Sequence, residues 1–403
     1  MLNNQVGPPV RGDDFFGRER IVNLISTKLR TTNILLAAPR RFGKTSVMYR
    51  LMDAPQWEYR IVHADVEHVC DPADLLIKLV EQFARDSALS KILDTVTWIP
   101  KQGFGLFKKH IQEIELVKVK IKMKDEIATK WQAHGDELFK KIADSPTPVI
   151  FFLDEFPVMI DRMARMNDAK RQEVITLLRW FRALRQAPGQ TKVRFVIAGS
   201  IGIDCVLNEL GEIASINDLE KIKLDPFPKQ VAEAFLDKLS QQANLPFSSP
   251  CKRKVLQVIG EGVPYFIQIL FSEIVKAQAQ SSTQLTPGLI GKIYRDKVLG
   301  VDCKSYFDHY FGRLHGYYSP HQEKALKRIL RELAVVGDLT QDAAYQLYKG
   351  EVSQPSHEEF SQLMTDLEND FYVGFDSRGR KYSFACKVLR DWWLRHYGMS
   401  ITI

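Results

Sequence analysis

Paired cysteines are missing from this chain. Cys70, Cys205, Cys251, Cys303 and Cys386 are isolated, odd in number and form no C-x-x-C spacing. That argues against a disulfide framework or a zinc site and predicts reduced thiols. Also missing is any run of about eighteen uncharged apolar residues, and Met1 to Pro9 hold no apolar stretch of signal-peptide type. The expectation is a cytoplasmic protein with no membrane partner. A strong excess of one charge is lacking too, because 56 Lys and Arg stand against 49 Asp and Glu, a net charge of +7. Such a balance permits an anionic partner, nucleotide included, and supports nucleic acid only weakly. No low-complexity tract or repeat array interrupts the 403 residues, so two or three domains with sizeable cores are expected.

What is present begins at Ile34-Leu35-Leu36-Ala37-Ala38-Pro39-Arg40-Arg41-Phe42-Gly43-Lys44-Thr45-Ser46. An apolar run of strand type feeds a Pro/Gly turn, and Ser46, Val47, Met48, Leu51 and Met52 follow at helical spacing. This is the strand-loop-helix context of a Walker A loop. The residues from Ala38 to Ser46 are the candidate phosphate cradle. Their backbone N–H groups would converge on phosphates at a helix N-terminus, Lys44 adds a point charge near the β and γ phosphates, and the Thr45 hydroxyl can ligate magnesium. Ala38 stands where the pattern has its first glycine, so the turn must tolerate a Cβ.

Pro148-Val149-Ile150-Phe151-Phe152-Leu153-Asp154-Glu155-Phe156 predicts a buried parallel strand with two carboxylates at its C-terminal edge, where open α/β sheets bind ligands. Asp154 can hold the magnesium, and Glu155 is placed to polarise a water for in-line attack on the γ-phosphate. Val193 to Ser200 predicts a further buried strand, with Ser200 where a sensor side chain would meet the γ-phosphate or the attacking water. Lys44, Glu155 and Ser200 are therefore the candidate catalytic residues, with Thr45 and Asp154 as candidate metal ligands.

Other segments are more ambiguous. Phe16-Gly17-Arg18-Glu19 could place its backbone against an adenine, or could simply start a helix with Glu19 in its first turn. His63 lies in the predicted strand Tyr59–Val66 and His68 just beyond it, but no third ligand recurs at metal spacing, so they read as ordinary polar residues. Leu116 to Lys124 alternates strictly and predicts a basic hairpin within residues 104–126, either a nucleic-acid contact or a solvated edge whose lysines discourage pairing. The helix expected from Asp168 to Gln186 presents Arg171, Arg179, Arg182 and Arg185 on one face, a source of an arginine for a neighbouring subunit or a solvated basic face.

Beyond Asp225-Pro226-Phe227-Pro228, residues 229–296 read as a helical lid joined by Gly260-Glu261-Gly262-Val263-Pro264, where Gly262 and Pro264 could reach a base or merely turn the chain. Helices at His321–Ala334, Asp338–Tyr348 and Glu358–Leu367, then a hairpin around Asp376–Arg380, have the order of a winged helix closed by Val388–Tyr397. Its third helix carries Glu358, Glu359, Asp366 and Glu368 and no basic residue, which disfavours duplex DNA. Only the wing, with Arg378, Arg380 and Lys381, is basic. Trp392-Trp393 reads as core packing.

These motifs in this order resemble the archaeal-type P-loop ATPases of the STAND class, AAA+-related proteins of archaea and bacteria with relatives among the origin-recognition ATPases. The resemblance implies an α/β fold, a P-loop NTPase three-layer core of the ASCE division with a helical lid and a C-terminal winged-helix domain. The expected boundaries are an arm at 1–13, the core at 14–226, the lid at 227–298 and the winged helix at 299–403. It implies a slow ATPase switch using ATP and Mg2+, with Phe16, Gly17, Arg18 and Pro264 joining the loop residues in nucleotide binding. The nucleotide state would control association with a protein partner or with another copy. Two alternatives stand beside it, an ATP-dependent DNA-binding protein of the origin-recognition type and a nucleotide-binding scaffold without turnover.

Overall fold

The computed structural model describes residues 3–99, 124, 127–187, 190–199, 202–280 and 283–398. Two compact units divide the chain. The first comprises Arg18–Arg40 and Lys44–Leu224, and the second Met1–Gly17, Arg41–Gly43 and Asp225–Ile403.

The first unit is built on a parallel sheet of β1 (Asn33–Ala37), β2 (Arg60–Asp65), β3 (Val149–Asp154), β4 (Val193–Gly199) and β5 (Leu219–Lys223), in the order β2-β3-β4-β1-β5. Every residue of β3 is buried, as its unbroken apolar run requires of a strand covered on both faces. Helices α1 (Glu19–Lys28), α2 (Lys44–Asp53), α3 (Pro72–Arg85), α4 (Ser90–Leu93), α5 (Trp131–Ala143), α6 (Phe156–Ala164), α7 (Asp168–Gln186) and α8 (Ile203–Leu210) connect or flank the strands. Phe83, Phe139, Phe151, Phe181 and Phe195 form one aromatic core, with ring centroids from 4.8 to 5.7 Å apart between neighbours. Because β4 lies between β1 and β3, the loop after β1 and the carboxylates after β3 meet at the same sheet edge across one intervening strand.

One expectation falls almost wholly outside the described residues, and another changes. The alternating stretch up to Met123 lies outside the described residues, but Lys124 at its end is helical, and its Nζ sits 2.7 Å from both Asp71 and Asp74. Asp71 also caps α3 through the Asp74 N–H, so two carboxylates converge on this lysine. The α7 arginines are only partly a solvated row, because Arg179 is exposed while Arg185 is buried. Arg171 donates to the Glu209 carbonyl, Arg179 pairs with Glu212 at 2.6 Å, and Arg185 grips both oxygens of Asp218 at 2.8 Å.

In the second unit, helices α9 (Lys229–Gln242), α10 (Ser249–Ile259), α11 (Pro264–Gln280) and α12 (Pro287–Ile293) precede α13 (Asp308–Tyr317) and α14 (Pro320–Val336). Then come β6 (Asp338–Thr340), α15 (Gln341–Lys349), α16 (His357–Asn369), β7 (Val373–Asp376), β8 (Lys381–Phe384) and α17 (Lys387–Tyr397), with a small antiparallel sheet in the order β6-β8-β7. This is winged-helix order. Asp338–Thr340, expected as the start of a helix, is instead an edge strand paired with β8. The helix begins one residue later, where the Thr340 hydroxyl accepts from the Ala343 N–H. Trp392 and Trp393 are fully buried core residues.

Candidate nucleotide site

The phosphate loop leaves β1 at Ala37 and re-enters helix at Lys44. Within the first unit, the Lys44 ammonium is buried and donates to the carbonyls of Ala38 at 2.6 Å and Pro39 at 3.0 Å, curling the lysine onto its own loop. Thr45 and Ser46 follow in the first turn of α2, and the Thr45 hydroxyl donates to Asp154 Oδ2 at 2.7 Å. The loop and the β3 edge are thus brought together as the motifs required. Two hard oxygens at this distance are the donor type that Mg2+ takes when it keeps most of its waters, so the residues fit that ion. Among the described residues no cluster of three His, Cys, Asp or Glu gathers anywhere, so a site for a metal with many protein ligands is not formed there.

Asp154 is well prepared to stay ionised. Burial pushes its carboxyl up, but His63, the Thr45 hydroxyl and the Lys44 charge together outweigh that and hold it below the ordinary carboxylate value. Glu155 caps α6 with φ 58°, a left-handed conformation unusual for a residue with a Cβ. Such a conformation persists only where the surroundings impose it. Pro157, at the second position of α6, abuts Gly199 at the end of β4, where an added Cβ would meet the proline ring at 2.4 Å. Gly199 is in turn registered beside Ala37, the last residue before the phosphate loop. Ser200 lies outside the described residues.

The remaining loop residues, Arg41, Phe42 and Gly43, pack with the second unit. Arg41 at φ 70° and Gly43 at φ 91° turn the chain in the left-handed region. Arg41 Nη1 donates to the Gly7 carbonyl at 2.8 Å, and its guanidinium lies 5.2 Å from the Tyr265 ring centroid. Phe42 is buried edge-on against Phe371 at 4.9 Å. Phe16 stacks on Phe235 at 5.4 Å, and the Lys238 ammonium lies 5.5 Å from its ring centroid. Gly17 packs against Val231 and Phe227, Phe227 bridges to Gly262, and Pro264 opens α11 two residues on. Arg40 is half-buried and Arg18, ahead of α1, is buried; both belong to the first unit.

Sequence reasoning missed three things at this site: the approach of His63 to Asp154, the Pro157–Gly199 contact, and the left-handed Arg41. None left a signal in the sequence, since even the first depends on the β2–β3 register that places Asp65 beside Asp154 and His63 beside Phe152.

No family model and no curated protein matches this chain. Solved structures do. The Walker-type ATPase PABY2304 of Pyrococcus abyssi aligns over 96% of this chain and 99% of its own, with 15% identity and a TM-score of 0.63. The ORC2 protein of Aeropyrum pernix, solved as ADPNP–ADP complexes, aligns over 96% of this chain and 95% of its own, with 13% identity and a TM-score of 0.53. Shared architecture at such low identity, together with a parallel sheet whose edge carries the loop and carboxylate motifs, gives this chain an α/β P-loop NTPase fold of the AAA+ type.

Proposed function

We propose that this protein binds MgATP at the Lys44 loop, hydrolyses it slowly, and uses its nucleotide state as a conformational switch. The observation that carries the reading is the convergence of Lys44, Thr45 and Asp154 at one sheet edge, with Glu155 next in the chain. On this reading Lys44 exchanges its two carbonyl partners for phosphate oxygens, which also frees the loop to open around the ligand. Thr45 and Asp154 would hold the magnesium, whose role is to neutralise charge on the β and γ phosphates. Glu155 orients a water and accepts its proton as the water oxygen bonds to the γ-phosphorus and the bond to ADP breaks. The two archaeal structures, one a Walker-type ATPase and one with ADPNP and ADP bound, add fold-level support. Membership of the STAND class is carried by the sequence motifs alone.

For the output of the switch, binding to duplex DNA has the better support. The whole-length likeness to an ORC2 protein favours it. So does α16, where only part of the acidity seen in the sequence faces solvent. Asp366 is buried, and Glu359 is engaged by Gln322 at 2.6 Å and by the Tyr348 hydroxyl. Glu358 and Glu368 remain exposed, and the wing keeps Arg378 and Arg380. A protein partner is the second reading. The test is fluorescent-ATP and duplex-DNA binding across a salt series for wild type, Lys44→Ala and Arg378→Ala/Arg380→Ala. DNA affinity that changes with nucleotide, is lost in the loop mutant's response and falls in the wing mutant supports the proposal. Nucleotide-independent or absent DNA binding moves the output to a protein partner, and absence of ATP binding ends the reading.

A further inference from the structure

His63 has no place in the mechanism as so far derived, yet its position is specific. Strands β2 and β3 pair in parallel with His63 beside Phe152 and Asp65 beside Asp154. Alternate residues share a face, so His63 and Asp154 are diagonal neighbours on the same side of the sheet. The ring is largely buried, lying edge-on to Tyr49 of α2 at 5.5 Å. Its Nε2 is buried without a hydrogen-bond partner and sits 3.9 Å from Asp154 Oδ2, the oxygen that accepts from Thr45.

That separation is informative. It is too long for a hydrogen bond. It is also shorter than the roughly 4.5 Å that a bridging water at its tetrahedral angle sets between two partners. A buried polar nitrogen without a partner is costly, so a state in which the contact closes should exist. The closing motion is small and has an evident trigger, because the Thr45 hydroxyl now occupies Oδ2.

We infer that His63 is a positioning residue for the Asp154 carboxylate: when the Thr45 hydroxyl leaves Oδ2, the His63 Nε2–H takes its place and fixes the carboxylate's orientation. This deepens, and rests on, the reading of the site as one for MgATP. Outer hydrogen bonds of this kind orient carboxylates that hold a metal, and their removal typically costs about ten- to a hundredfold in metal affinity. The Glu155 N–H donates to Oδ1 at 3.2 Å, so after the exchange His63 is the donor that holds Oδ2, where the metal-free protein has the Thr45 hydroxyl. The effect of losing His63 should therefore appear only when a divalent cation is present.

The experiment uses the full chain with ADP and Mn2+ as the probe, reading bound Mn2+ by electron paramagnetic resonance. ADP affinity is measured in parallel with EDTA. His63→Phe keeps a ring against Tyr49 but removes the N–H, while His63→Gln restores a donor at a similar reach. Expected for His63→Phe is a roughly ten- to hundredfold weaker Mn2+ affinity with metal-free ADP affinity unchanged, and recovery of most of that loss in His63→Gln. Unchanged Mn2+ affinity in His63→Phe overturns the proposal. So does an equal loss of metal-free ADP affinity, or a failure of His63→Gln to recover more than Phe. Should His63→Phe not fold, His63→Leu takes its place against His63→Gln. Wild-type protein that binds no ADP under either condition overturns the MgATP reading itself, a result distinct from the others.

Discussion

Replacing Gly199 by Ala would test how the carboxylate at position 155 is held. The new Cβ would meet Pro157 Cδ at 2.4 Å and Cγ at 2.6 Å. Ordinary contact starts at 3.4 Å, so the ring must retreat by about 1 Å. Neither partner yields easily. Gly199 is fixed by parallel pairing to Ala37, and Pro157 is a rigid ring in the first turn of α6, two residues from Glu155. Overpacking of this kind costs about 1–3 kcal/mol, which lowers Tm by a few degrees per kcal/mol. A catalytic group displaced by about 1 Å can lose on the order of a hundredfold in rate. The expected result is a large fall in kcat for phosphate release, ATP affinity close to wild type, and a modest drop in Tm. Adding Pro157→Ala to Gly199→Ala removes the obstructing ring atoms and should recover much of the rate. Wild-type kcat in Gly199→Ala, or a double variant no better than the single one, would refute the reasoning.

Three further outcomes can be measured. Arg185→Ala should destabilise the fold by about 3–5 kcal/mol in urea melts, because removing a side chain only 1% exposed leaves Asp218 without its partner; a loss below about 1 kcal/mol would contradict that. Arg179→Ala should cost under about 1 kcal/mol and leave phosphate release intact, since its pair with Glu212 is exposed on the arginine side; a collapse of the rate would instead make Arg179 an arginine finger. Burial raises the Asp71 carboxyl, but Lys124 and the Asp74 N–H outweigh it and bring it below its ordinary value. Such a group stabilises the fold above its unfolded pKa and loses that contribution as pH falls through its lower folded one. Lys124→Ala should therefore be less stable by about 0.5–1 kcal/mol near neutral pH, with the gap closing below the carboxylate range; a gap that persists in acid would refute the assignment.

The legible parts of this molecule were those where one local rule decides. Ile34 to Leu36 and Val149 to Leu153 are runs that only a doubly covered strand can bury; the first leads into the phosphate loop and the second into Asp154 and Glu155. What could not be read were partners distant in sequence. The acceptors of Arg179 and Arg185 lie 33 residues away at Glu212 and Asp218, so the arginines looked like a solvated face. His63 looked ordinary because its relation to Asp154 exists only through the β2–β3 register. Asp338–Thr340 resembled a helix start because its pairing with Lys381 to Ser383 is made across the wing. Arg41 in the left-handed region is likewise imposed by its surroundings, since nothing in an arginine side chain favours that conformation.

Single-turnover phosphate release by wild type, Lys44→Ala and Glu155→Gln, each with ATP affinity measured on the same protein, tests the central claim most directly. The account predicts release by wild type, loss of ATP binding in Lys44→Ala, and ATP held without release in Glu155→Gln. Release at the wild-type rate from Glu155→Gln would contradict the assignment of the attacking water to Glu155. Tight ATP binding by Lys44→Ala would remove the phosphate loop from the account altogether.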